Sequence, residues 1–148
     1  MSKFIYFPSF SAGAMGSSLA KNVKLKNDLS HYIETIRHEG VEFDNIYGIP
    51  RGGVILAVML SHKTGIPYIE SFEKVTQDTL IVDDIADTGE TLKKYKRHPK
   101  SEKSFYVTIH EHEQSIVKPD FSVLPKGDKW IVYPWETEDS EEIQDYLK

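Results

Sequence analysis

Three aspartates lie close together in the segment LIVDDIADTGETL, from Leu80 to Leu92. Asp83 and Asp84 are adjacent at the end of an apolar run. Asp87 follows on a tight loop that opens into Thr88-Gly89-Glu90-Thr91. Free N–H groups at the start of a helix bind phosphate. Gly89 permits a close backbone approach, and the Thr88 and Thr91 hydroxyls can donate as well. Acids beside such a cradle would repel a bare phosphate. The combination is coherent if the carboxylates take sugar hydroxyls or organise Mg²⁺, which links carboxylates or waters to phosphate oxygens. A strand end followed by an N-capped helix, with Asp87 or Thr88 as the cap, explains part of the pattern. It does not explain two acids at the mouth of a sheet.

A second candidate lies upstream in IYGIPRGGVILAVML, Ile46 to Leu60. Arg51 can pair bidentately with phosphate oxygens, and a turn at Gly52-Gly53 can aim backbone N–H groups at an anion. Arg-Gly-Gly alone reads as a surface turn with a solvated Arg. It gains weight from preceding the acidic segment by one helix and one strand. The sequence has no Gly-Lys-Ser/Thr, so P-loop nucleotide binding is not supported.

The elements that must position these groups follow from periodicity and stop signals. Asp28 is expected to cap a helix running to about Glu39, with Leu29, Ile33 and Ile36 on one face and Gly40 at its end. Strands are expected at Asp44–Ile49, Ile66–Ile69, Thr79–Val82 and Ser104–Ile109. Helices are expected over Val54–Lys63, closed by Gly65, and from Gly89 to about Arg97, stopped by His98-Pro99. This alternation implies an α/β fold, a parallel sheet covered by helices on both faces. Ligands of such sheets sit at the carboxyl ends of the strands, where both candidate segments fall. Phe4–Phe7 can form a short strand, and the rest of residues 1–24 reads as an irregular lead-in.

Bulk composition narrows the function classes. A chain of 148 residues, 39% hydrophobic and 28% charged, is one ordinary globular domain, 1–148. The absence of Cys excludes disulfides, thiolate metal sites and a Cys nucleophile. A net charge of −5 argues against broad nucleic-acid or anionic-membrane binding. No apolar run approaches a bilayer span, and MSKFIYFPSF does not read as a secretory signal. A cytoplasmic location is expected.

LIVDDIADTGETL resembles the phosphoribosyl pyrophosphate (PRPP)-binding motif of type I phosphoribosyltransferases, and IYGIPRGGVILAVML resembles their pyrophosphate-binding segment. The resemblance runs from about Asp28 to Trp135. It implies a parallel-sheet fold flanked by helices with a small C-terminal hood-like region, a homodimer, Mg²⁺ as cofactor, and PRPP and a base as substrates. Arg51, Gly52, Asp83, Asp84, Thr88, Gly89, Glu90 and Thr91 would then bind PRPP. Asp83 and Asp84 would hold the ribose hydroxyls and organise Mg²⁺, and Thr88 to Thr91 would take the 5′-phosphate. Asp87 would lie near the incoming base and assist its deprotonation.

Lys118-Pro119-Asp120-Phe121 and the stretch from Gly127 to Glu136 resemble the corresponding parts of purine phosphoribosyltransferases, those for hypoxanthine, guanine or xanthine. This implies that Trp130 or Ile131 packs on a purine; the alternative is an ordinary core strand. Two departures stand out. The Lys expected after the strand ending near Ile109, a donor to a purine 6-oxo group, falls on His110 or His112. A His can donate there, although polar residues at a strand end explain both equally well. The mobile loop expected before the acidic strand is reduced to about Glu70–Asp78, with Lys74 its only basic residue. A PRPP- or nucleotide-sensing protein with the same fold and little catalysis is therefore a second expectation, and a transferase for another base a third.

Overall fold

The computed structural model describes residues 29–125 in full and the backbone of residues 4–6 and 130–132. The proposed Asp28 cap and most of the lead-in 1–24 lie outside the described residues.

Helix α1 covers residues 29–38. Leu29, Ile33 and Ile36 are buried on its inner face, as their spacing predicts. Gly40 ends it with φ +101°. The Val41 N–H donates to Ile36 O at 3.1 Å and the Gly40 N–H to Arg37 O at 3.1 Å. That is the double closure a left-handed glycine allows after a helix.

Strand β2 is Asn45–Gly48, α2 is Gly52–Thr64, β3 is Tyr68–Ile69 and β4 is Thr79–Ala86. Helix α3 is Glu90–Lys96, followed by β5, Phe105–Glu111, and β6, Phe121–Pro125. These five strands form one sheet in the order β3-β2-β4-β5-β6, and every neighbouring pair is parallel. On one face α1 and α2 bury Leu29, Ile33, Leu56, Ala57 and Leu60 against Ile46, Leu80, Val82, Val107 and Ile109. On the other, Leu92 of α3 joins Tyr47, Ile49, Ile81 and Tyr106. The expected two-sided α/β architecture is the observed one.

Three features differ from expectation. Strand β4 does not stop at Val82 but runs through both acids to Ala86, because β5 continues beside it: Asp83 pairs with Thr108, Ile85 with His110 and Ala86 with Glu111. Strand β6 was not anticipated. It is short and lies at the sheet edge, and long-range contacts hold it. The Asp120 N–H donates to Tyr106 O, the Tyr106 N–H donates to Asp120 Oδ2, both at 2.8 Å, and Phe121 stacks on Tyr32 with ring centres 3.7 Å apart. The accessory region is not C-terminal alone. Strand β1, Phe4–Tyr6, and strand β7, Trp130–Val132, make a separate two-stranded parallel sheet in which Phe4 pairs with Trp130 and Ile5 with Ile131.

The segment Glu70–Asp78 is the crossover from β3 to the start of β4. Ser71 caps a single tight turn at Phe72–Lys74, and Phe72 packs edge-on against Tyr47, Tyr95 and His98. Gln77 donates to Pro99 O and accepts from the Lys103 N–H, while Lys100 Nζ donates to Glu73 O. The segment is tied to the turn after α3 along its length. Among the described residues no helix is long and apolar enough to cross a membrane.

Candidate active site

The strand order places a switch point between β2 and β4. From β2 the chain moves outward to β3, then crosses back to β4 on the other side of β2. The connections leaving β2 and β4 therefore diverge to opposite faces and open a crevice at their carboxyl ends. Both candidate segments lie there.

The upstream loop is drawn in by glycines. A Cβ on Gly48 would meet Val54 Cα at 2.7 Å, and one on Gly53 would come within 3.0 Å of Asp83 Cα and closer still to Val82 O. These absences let the start of α2 lie directly on the ends of β2 and β4. A Cβ on Gly52 would run into the Asp84 carboxylate. Arg51 stands exposed at the N-cap of α2, after a cis peptide bond from Pro50, and the first turn of α2 carries no acidic residue. The guanidinium-bearing turn, the helix start and the Asp84 carboxylate thus meet at one place.

The acidic pair is divided between faces. Asp84 is half-buried beside Gly52. Asp83 is 6% exposed, and its Oδ1 accepts the Asp84 N–H at 2.9 Å. The Asp83 charge is felt on the α3 face. The Tyr95 phenol pKa is pushed well up, first by burial, then by its hydrogen bond with Tyr47, and further by nearby charge that includes Asp83.

Asp87 is half-buried on the loop after β4, and Thr88 is exposed. Thr88 Oγ1 accepts the Glu90 N–H at 3.3 Å, but the residue at the N-cap of α3 is Gly89, with no side-chain cap, so neither Asp87 nor Thr88 takes the expected capping place. Glu90 and Thr91 are half-buried in the first turn of α3, and Leu92 anchors that turn in the core. Gly89 takes φ +86°, and a Cβ there would meet Ser115 Oγ at 2.6 Å and the Ile116 and Val117 nitrogens at 2.7 Å. The space before its α-carbon is filled by the protein's own 112–118 loop, whose Ile116 N–H donates to Thr88 O at 2.9 Å.

The histidines lie at the end of β5, His110, and at the start of that loop, His112. Strand alternation puts His110 on the face of Tyr106 and Thr108, and it is 3% exposed. His112 is also buried. Its N–H donates to Ala86 O at 2.8 Å, and its Nδ1 accepts the Gln114 N–H at 3.0 Å. The latter bond fixes the neutral ring's proton on Nε2. The cation of the Lys118-Pro119-Asp120-Phe121 run, a further candidate donor, lies here too. Lys118 Nζ donates to His112 O at 3.1 Å and Glu113 O at 2.9 Å, and it stands 3.5 Å from Glu111 Oε1. Only its place in Lys-Pro-Asp-Phe flags it in the sequence. The side chains of Trp130 and Ile131 lie outside the described residues, as does Lys129; the first two occupy β7. Among the described residues no three or more His, Asp or Glu side chains are grouped to hold a metal ion.

No protein-family model matches the chain. Solved structures do. A purine phosphoribosyltransferase from Pyrococcus horikoshii superposes with a TM-score of 0.70 at 23% identity, covering 95% of this chain and 99% of that one. A xanthine-guanine-hypoxanthine phosphoribosyltransferase from Helicobacter pylori gives 0.62 at 19% identity, covering 90% and 94%. A hypothetical protein from Neisseria gonorrhoeae with bound ppGpp gives 0.62 at 21% identity, covering 94% and 92%. The fold is that of type I phosphoribosyltransferases.

Proposed function

We propose that this protein transfers the phosphoribosyl group of PRPP to a 6-oxopurine, giving a nucleoside monophosphate and pyrophosphate. The observation that carries the reading is the meeting of the Arg51-Gly52 turn with the Asp84 carboxylate at the switch point. A pyrophosphate-binding turn and a ribose-binding acid have to lie within one substrate's length of each other, and these do. The purine phosphoribosyltransferases of the same fold support the substrate class.

In the reaction a purine nitrogen forms a bond to C1 of the ribose while the C1–O bond to pyrophosphate breaks, through a state resembling an oxocarbenium ion. Arg51 stabilises the charge gathering on the departing pyrophosphate. The amides and hydroxyls from Thr88 to Thr91 hold the 5′-phosphate. Asp87 accepts the proton released from the base nitrogen. Mg²⁺ neutralises diphosphate charge when bound. Oxygen donors and few protein ligands would suit an ion held mainly by the substrate phosphates, with Asp84, beside Gly52, as its protein carboxylate. His110, His112 and the strand carrying Trp130 and Ile131 form the base side. A cytoplasmic homodimer is part of the same proposal.

A second reading is a nucleotide-sensing regulator. Two observations favour it: the fold neighbour from Neisseria gonorrhoeae holds ppGpp, and the Glu70–Asp78 crossover is pinned to the turn after α3 instead of standing free above the crevice. Pyrophosphate release from PRPP with Mg²⁺, measured against guanine, hypoxanthine, xanthine, adenine, uracil and orotate, separates the two. Turnover with a 6-oxopurine is expected. Binding of PRPP with no base converted would remove the enzyme reading in favour of the regulator.

A further inference from the structure

Adjacent residues of a strand point to opposite faces of the sheet. Two neighbouring acids inside a strand are therefore turned to different faces. Here β4 continues to Ala86, so Asp83 and Asp84 lie inside the strand and diverge. Asp84 reaches the Gly52 side of the crevice. Asp83 is buried, with its charge felt by Tyr95 beneath α3.

The backbone explains what a buried carboxylate does there. The Ile49 N–H donates to Val82 O at 2.8 Å, so Val82 faces β2. By the same alternation the Asp84 N–H faces that edge two residues further on. At that level the chain has already left β2 and turned through Pro50-Arg51 into α2. A backbone donor inside a sheet must find an acceptor, and Asp83 Oδ1 accepts this one at 2.9 Å.

We propose that Asp83 is a positioning residue: its carboxylate takes over from β2 as acceptor for the Asp84 amide and thereby fixes Asp84 as the acid that meets Mg·PRPP. The identity of that ligand rests on the function proposed above; the positioning itself does not. An Asn at position 83 keeps the acceptor oxygen and loses the charge, whereas Ala loses both.

The test compares Asp83→Asn, Asp83→Ala and Asp84→Asn in the full chain with two readouts: hydrogen exchange of the residue 84 amide without ligand, and titration with Mg·PRPP. In Asp83→Asn the amide is expected to stay protected, and PRPP affinity to fall less than about threefold. In Asp83→Ala the amide should exchange at least about tenfold faster and PRPP bind about tenfold more weakly. Asp84→Asn should lose about tenfold or more in PRPP affinity with its own amide still protected. Asp83→Asn losing as much PRPP affinity as Asp84→Asn, with protection intact, would make Asp83 a direct ligand and overturn the proposal. Unchanged protection in Asp83→Ala would overturn it as well. If Asp83→Ala does not fold, the Asn pair alone decides. If the wild-type chain binds no Mg·PRPP, the proposed function fails, and amide exchange still decides the positioning.

Discussion

The two sides of the crevice are built by different means. Where β2 and β4 end, the backbone makes the site: Gly48, Gly52 and Gly53 let one loop sit on another strand, and Asp84 meets a helix start where a Cβ would not fit. Where β5 ends, side chains make it. Lys118 reaches back to the His112 and Glu113 carbonyls, and His112 holds the Gln114 amide. A site made of backbone tolerates few residue types at its glycines. A site made of long side chains can change its partners one substitution at a time. Under the proposed function, the backbone-built side would hold the one unvarying group, PRPP, and the side-chain-built side would set the choice among bases.

Four expected outcomes bear on that contrast. The largest concerns the residue between the two sides. Asp87→Asn should lower kcat by ~10²-fold or more while leaving PRPP affinity nearly intact, if Asp87 takes the base proton; steady-state pyrophosphate release reports both values. Next, Gly52→Ala forces a methyl group into the Asp84 carboxylate. It should raise the KM for PRPP by about tenfold or more, a cost of ~1.4 kcal/mol, and leave the base KM alone. Equal changes in both would show that the two sides are one unit.

On the base side, a buried 6-oxo group without a donor costs ~1–3 kcal/mol. Ala at the donor among His110, His112 and Lys118 should raise the guanine or hypoxanthine KM about tenfold with little effect on PRPP. If neither His variant changes the base KM and Lys118→Ala does, the donor is Lys118.

The smallest effect lies away from the crevice. Tyr106 is buried and donates to Ser101 O at 2.7 Å, and its pKa is pushed up to about 12, first by burial and further by Asp120, with the Ser101 side chain opposing. The unfolded chain gives up this proton near its ordinary pKa of about 10, before the folded chain does. Stability from this group is thus complete below pH ~10 and declines as pH rises toward ~12. Tyr106→Phe should cost about 1 kcal/mol near neutral pH and flatten the alkaline decline in urea-melt stability.

The anion side was largely legible in the sequence. Arg51-Gly52-Gly53 and Asp83 to Thr91 are local runs, and a local run fixes a turn, a cap and a helix start. What it could not give was strand length. Thr79 to Val82 looks complete, and only the pairing of Ile85 with His110 carries β4 past both acids, which is why the pair reads as cooperating when its members diverge. The base side was less legible for the same reason. Strand β6 depends on Asp120 reaching Tyr106 and Phe121 stacking on Tyr32. The reach of Lys118 back to the His112 carbonyl is a contact that no periodicity encodes.

The parallel pairing of β1 with β7 joins segments on either side of the five-stranded sheet in sequence. During synthesis β1 is made before the five-stranded sheet and meets its partner only after all five strands have followed. The five-stranded sheet needs only the residues between them. Contacts of such sequence separation are costly to close and form late. The region proposed to grip the base is thus the last part to assemble. Hydrogen exchange at 130–132 is expected to be faster than in β4, and removal of residues 1–10 to speed it further while β4 stays protected. Equal protection at both places would mean that the β1–β7 pair and the core fold as one.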